Sequence, residues 1–214
     1  MEPRKLATAL ATVAAACAAL PASAGGPAES TARYGQCGST EGIGLFSATV
    51  TYSYSGGTSA SVSILLMNDT PSALGGFITG LALNGGTGVT ALTFQSSSVG
   101  TFEGLAGPVS APPFGDFLAG ATTGDGWLGG GNPSKGIGDG DSATFLFGVS
   151  GSAAALAALT AEDVFGDGEL QMAVRFRGGT PDDWSDKALG CALPAPGALA
   201  LLAVCGLVSP RRRR

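Results

Sequence analysis

The sequence predicts an all-β protein: a single jelly-roll-like β-sandwich domain, flanked by an N-terminal signal helix and a short C-terminal membrane helix. Three observations carry this. The 214 residues include 36 Gly and 12 Pro but only 13 % charged residues, which suits short strands joined by turns better than long helices. Apolar residues alternate with period two in several stretches bounded by turn residues. Two uninterrupted apolar runs stand at the extreme ends, outside the alternating region. No repeat of fixed period is visible, which argues against a solenoid or propeller.

The elements follow in chain order. Phe46, Ala48, Val50, Tyr52 and Tyr54 fall on one face of a strand, and Ser47, Thr49, Thr51 and Ser53 on the other. Gly56-Gly57 turns the chain near 55–58, and Val62, Ile64 and Leu66 continue as the hairpin partner. Asn68-Asp69-Thr70-Pro71 ends that strand with turn chemistry. Residues 76–83 and 89–96 read as a second pair across Asn84-Gly85-Gly86. Residues 97–142 read mostly as loop, with short strands near Phe114 and Trp127. Strands follow at 143–149 and 171–177, with the one helix between them at 153–165 and Thr160 capping a further turn.

The ends read as processing signals. Arg4 and Lys5 precede an apolar run over 6–20 that is too short for a comfortable membrane span. Pro21 breaks the run, and Ala22-Ser23-Ala24 supplies the small residues that signal peptidase requires. Residues 1–24 are therefore read as a signal peptide cleaved after Ala24; the competing reading is an uncleaved anchor. The exported domain is 25–192. The tail, 193–214, holds Pro194-Ala195-Pro196, an apolar run over 198–208, and the cluster Arg211, Arg212, Arg213 and Arg214. The run falls short of the roughly 20 residues a stable span needs. The arginines would hold its end on the cytoplasmic side. Such a span suits transient inner-membrane anchoring; the competing reading is an ordinary tail anchor.

Pro-x-Pro, a short apolar helix and an arginine cluster together resemble the PEP-CTERM sorting signal. Pro194 and Pro196 match the two prolines of the motif, and Ala195 stands where its glutamate stands. The resemblance covers only the tail, together with the signal-peptide plan. It implies removal of the tail by an exosortase-type enzyme. It also implies a final place at the cell surface or in the extracellular matrix of a Gram-negative-type bacterium. The stretch 174–178, followed by Ser185-Asp186-Lys187, is similar to the closing strand and loop of domains that accompany such tails.

Charge and residue inventory narrow the function. Residues 25–192 carry five basic and fifteen acidic residues, a net charge of −10, which leaves no electrostatic footprint for nucleic acid. Cys37 and Cys191 are the only cysteines of the exported domain, and in an oxidising compartment they are expected to pair. Both are placed just outside the strands, Cys37 before Phe46 and Cys191 after Arg177; pairing between molecules is the alternative. There is no His, so Ser-His-Asp and Cys-His catalysis are impossible. Asp139 with Asp141, and Asp182, Asp183 and Asp186 around Trp184, are oxygen-rich enough to interest calcium. They match no complete ligand loop, and Asp-Gly is ordinary turn chemistry. Trp127 and Trp184 would stack on sugars if exposed, and would be packing if buried. Arg175 and Arg177 share a strand face and would either recognise an anion or pair with nearby acids. The expectation is a non-enzymatic exported surface or matrix protein with no cofactor and no metal site. Its partners would be signal peptidase, an exosortase-type enzyme and extracellular polysaccharide. The alternative is a carbohydrate-binding module of the extracellular matrix.

Overall fold

The computed structural model describes residues 28–105, 107–129, 132–166 and 170–194. The strands are β1 (Ala28–Ser39), β2 (Phe46–Tyr54), β3 (Ser59–Asn68), β4 (Gly75–Leu83), β5 (Val89–Ser97), β6 (Glu103–Leu105), β7 (Val109–Ser110), β8 (Asp116–Phe117), β9 (Ala119–Thr122), β10 (Ser142–Gly151), β11 (Met172–Gly179) and β12 (Trp184–Ala192). Among the described residues one α-helix, α1 (Ala153–Ala158), and one 3-10 turn (Pro133–Lys135) accompany them. Ten strands form one antiparallel sheet in the order β5-β10-β3-β2-β1-β12-β11-β4-β9-β6, and β7 and β8 pair separately. The sheet curls until it nearly closes: Gly104 of β6 lies against Phe94 of β5, where a Cβ would stand 2.8 Å from the Phe94 Cβ. The all-β expectation therefore holds.

The core lies inside this curl, built by alternation. Phe46, Ala48, Val50 and Tyr52 point inward from β2, Val62, Ile64 and Leu66 from β3, and Phe145, Phe147 and Val149 from β10. Edge-to-face ring pairs join the walls: Phe102 to Phe145 at 4.9 Å and Phe94 to Phe147 at 5.5 Å between centroids. A second, smaller cluster covers the outer face of the sheet. There Val109, Phe117 and Trp127, from the 105–129 segment, cover Ala82 of β4 and Ala173 of β11.

Several expectations need correction. Segments 76–83 and 89–96 are strands, but they do not pair with each other: β4 lies between β11 and β9, and β5 pairs with β10. The reason is burial. β4 is buried from Ile78 to Leu83 on both faces, and β11 and β9 already hold its two edges. The loop after it is drawn instead onto the turn at 160–166, where the Gly86 amide donates to the Val164 carbonyl at 2.9 Å. Within 97–142 short strands form at 103–105, 109–110, 116–117 and 119–122, whereas Phe114 and Trp127 sit outside any strand. The helix stops at Ala158, because Leu159 is already extended. Ser152 caps its start by accepting from the Ala155 amide at 3.2 Å. Thr160 then heads a single tight turn, its hydroxyl donating to Asp163 at 2.7 Å. Two strands, β1 and β12, appear where the sequence predicts none.

Gly86 tests the loop docking. A Cβ there would overlap the Asp163 carbonyl oxygen, and backbone cannot swing aside as a side-chain tip can. Gly86→Ala is expected to destabilise the fold by about 1–3 kcal/mol, read from the shift in urea midpoint.

Candidate functional site

The candidate site is the place where the first and last strands of the domain meet. β1 lies between β2 and β12, hydrogen-bonded to each. Its pairing with β12 runs Gln36↔Gly190 and then Gly38↔Leu189, so Cys37 is the extra residue of a bulge. A bulge re-aims a side chain. Here it brings Cys37 to Cys191, and the two form a disulfide with Cα atoms 5.9 Å apart. The expected pairing is present, but its position is corrected: both cysteines lie within strands, not outside them. The omission has a cause, since β1 and β12 are rich in small and polar residues and show only a weak apolar alternation.

The chain beyond Cys191 stays attached for two residues. The Leu193 amide donates to the Arg33 carbonyl at 2.7 Å. The Leu193 side chain covers Gly35, where a Cβ would come within 3.1 Å of it. Leu193 and Pro194, with Arg33, Thr49 and Glu162, line a surface pocket of about 540 Å³. Pro194, first residue of the expected sorting motif, is exposed. Ala195, Pro196, Arg211 to Arg214, Ala22, Ala24 and both flanking helices lie outside the described residues. Among the described residues no helix is long and apolar enough to cross a membrane.

At the other end of the same strand pair stands a feature that no sequence pattern announced. Asp186 is buried in β12 and gathers the loop after β1. Its Oδ2 accepts from the Ser39 hydroxyl at 2.7 Å and from the amides of Ile43 and Gly44 at 2.9 and 3.0 Å. Its Oδ1 accepts from the Thr40 hydroxyl and the Glu41 amide, both at 2.9 Å, and from the Lys187 amide at 2.7 Å. Burial pushes this carboxyl up, but hydrogen bonds from Ser39, Ile43, Glu41 and Gly44 outweigh burial and hold it below the usual carboxylate range.

Comparison with family models, with curated proteins and with solved structures finds no match.

The remaining sequence candidates are distributed by the fold. Trp127 is buried against Gly80, and Trp184 rests on Gly76 and Gly179 while its Nε1 donates to the Leu74 carbonyl at 3.0 Å. Both indoles are thus committed to packing. Asp139 and Asp141 flank Gly140, which takes a φ of 77° in the turn leading into β10. Asp182 and Asp183 are exposed in the β11–β12 turn, while Asp186 is turned inward to its clamp. Among the described residues no three His, Cys, Asp or Glu side chains converge as a metal site. Arg175 and Arg177 do share the outer face of β11, opposite the core-facing Val174 and Phe176.

Proposed function

We propose that this is a non-enzymatic exported protein of the cell surface or extracellular matrix. Signal peptidase releases it after Ala24, and an exosortase-type enzyme processes the tail, residues 193–214. The observation that carries the reading is the Cys37–Cys191 disulfide between the first and last strands. Such a bond persists in exported proteins and is rare where thiols are kept reduced. The strand order adds support. β1 begins and β12 ends at the same end of their antiparallel pair, so the first and last described residues lie toward one end of that pair. In this reading the nearly closed sheet is the wall of a flattened, jelly-roll-like sandwich, and the tail serves as a transient inner-membrane anchor. A second reading, a carbohydrate-binding module of the extracellular matrix, is favoured by a pocket on β11 and β12 lined by Arg175 and Lys187 together with Glu41 and Asp186.

Intact mass of the protein recovered from fractionated cells tests the first reading. The mature chain should begin at Gly25 and end between Pro194 and Gly197. Replacing Arg211 to Arg214 by glutamine should leave the tail uncut and the protein misdirected. A surface form that retains both Met1 and Arg214 refutes the proposal.

A further inference from the structure

Arg175 and Lys187 stand directly opposite each other across β11 and β12. Like charges so placed repel and destabilise a sheet. The juxtaposition is more conspicuous because residues 25–192 hold only five basic residues in a domain of strong acidic excess. Arg177 lies on the same face two residues away, so three of those five gather on one patch.

Arg175 is also buried, only 9 % exposed. Its Nη1 donates to the Trp127 carbonyl, and its Nε has no partner in the protein. A buried charged donor left without a partner costs free energy that a ligand can recover. The nearest buried acid cannot supply the missing partner, because both oxygens of Asp186 are already occupied by the loop after β1. Desolvation and then the neighbouring Arg177 lower the pKa of Arg175.

Between these two cations opens a pocket of about 350 Å³, large enough for one sugar ring. Ser185 brings a hydroxyl group to its wall that can exchange hydrogen bonds with sugar hydroxyls, whereas the Thr40 hydroxyl already donates to Asp186 and accepts from the Lys187 amide. Pro112 and Pro113 form an apolar side against which a ring face can lie. Two acids share the lining: Glu41 is exposed, and Asp186 is buried with both oxygens held by the loop after β1. We infer that this pocket binds the carboxylate of a uronic-acid unit, with Arg175 and Lys187 sharing the charge and Ser185 meeting the ring hydroxyls. The inference goes beyond the export reading and does not depend on how the tail is processed.

Calorimetric titration of the oxidised full chain at low ionic strength tests it, using sodium glucuronate, glucose and sodium sulfate as probes. Saturable binding of glucuronate and none of glucose is expected. Lys187→Gln, at a half-exposed position, should weaken glucuronate binding at least about tenfold, as loss of one charge-assisted contact predicts. Arg175→Gln should do the same, with circular dichroism confirming its fold. Glu41→Gln should tighten binding, since it removes a like charge from the rim. Three results would overturn the inference: no glucuronate binding by the folded wild type, binding indifferent to Lys187→Gln, or sulfate bound as tightly as glucuronate. The last would assign the pocket to free oxyanions instead of a sugar acid.

Discussion

Replacing Cys37 and Cys191 together by serine is expected to lower unfolding free energy by about 5 kcal/mol on the chain-entropy model. The bond joins residues 154 apart in sequence, so it removes a very large loop from the unfolded ensemble. Its contribution on the folded side is small by comparison: Cys37 is exposed and Cys191 half-buried, and serine fits both places without opening a core cavity. The loss should therefore appear as a lower urea midpoint with native spectra retained. It would be a large share of the roughly 5–15 kcal/mol that holds a typical domain together. The double variant is the right one to measure, because a single substitution leaves a thiol free to cross-link molecules. Reducing the wild type with dithiothreitol should reproduce the effect. A midpoint shift worth less than about 1 kcal/mol would mean that the unfolded chain is already compact, or that the strand pair holds these ends by itself.

The parts of this fold that were legible in the sequence are the parts with one wet face. β2, β3 and β10 each bury one face and expose the other, so their period-two pattern survives into the structure almost residue for residue. β4 breaks that rule. It is covered by the core on one side and by Trp127 and its neighbours on the other, and its sequence holds no alternation to read. Its pairing was lost for a related reason. The hairpin rule favours the next strand in sequence, while the curl of the sheet places β11 beside β4 and β10 beside β5.

β1 and β12 escaped for a different reason. Only Ala32 and Tyr34 are buried apolar residues in β1, and β12 contributes Ala188 to the core while burying an aspartate. A buried acid in mid-strand reads as a turn unless the donors that satisfy it are known. Those donors lie in a loop some 145 residues earlier in the chain. The outer-face pocket was half legible on the same grounds. Arg175 and Arg177 were recognised as sharing a strand face, but Lys187 belongs to the unrecognised strand, so its opposition to Arg175 became visible only with the sheet register. The disulfide needed no geometry, because residues 25–192 hold only two cysteines, which leave one intramolecular choice.

Asp186→Asn is expected to cost about 3 kcal/mol at neutral pH, and the cost should shrink in acid. Each carboxylate oxygen accepts at least three hydrogen bonds, drawn from two hydroxyls and four amides. An asparagine keeps the shape but puts an NH₂ where one oxygen was, and that group then faces donors instead of acceptors. The Ile43 and Gly44 amides would suffer most, since Gly44 is buried and has no water to turn to. The sign of the pH effect follows from the depressed pKa of Asp186. The unfolded group titrates near 3.9, and the folded one titrates lower. Its stabilisation is therefore complete above the unfolded value and is lost as pH falls through that window toward and below the folded pKa. Asparagine does not titrate, so the gap between wild type and variant should be full at pH 7, begin to narrow around pH 4, and continue to close below it. Urea unfolding at pH 7, 5 and 3 measures the gap, and hydrogen exchange at Ile43 and Gly44 reports whether the loop after β1 is the part released. A gap that stays constant from pH 7 to pH 3 would show that the clamp holds by shape, with the ionised carboxylate contributing nothing.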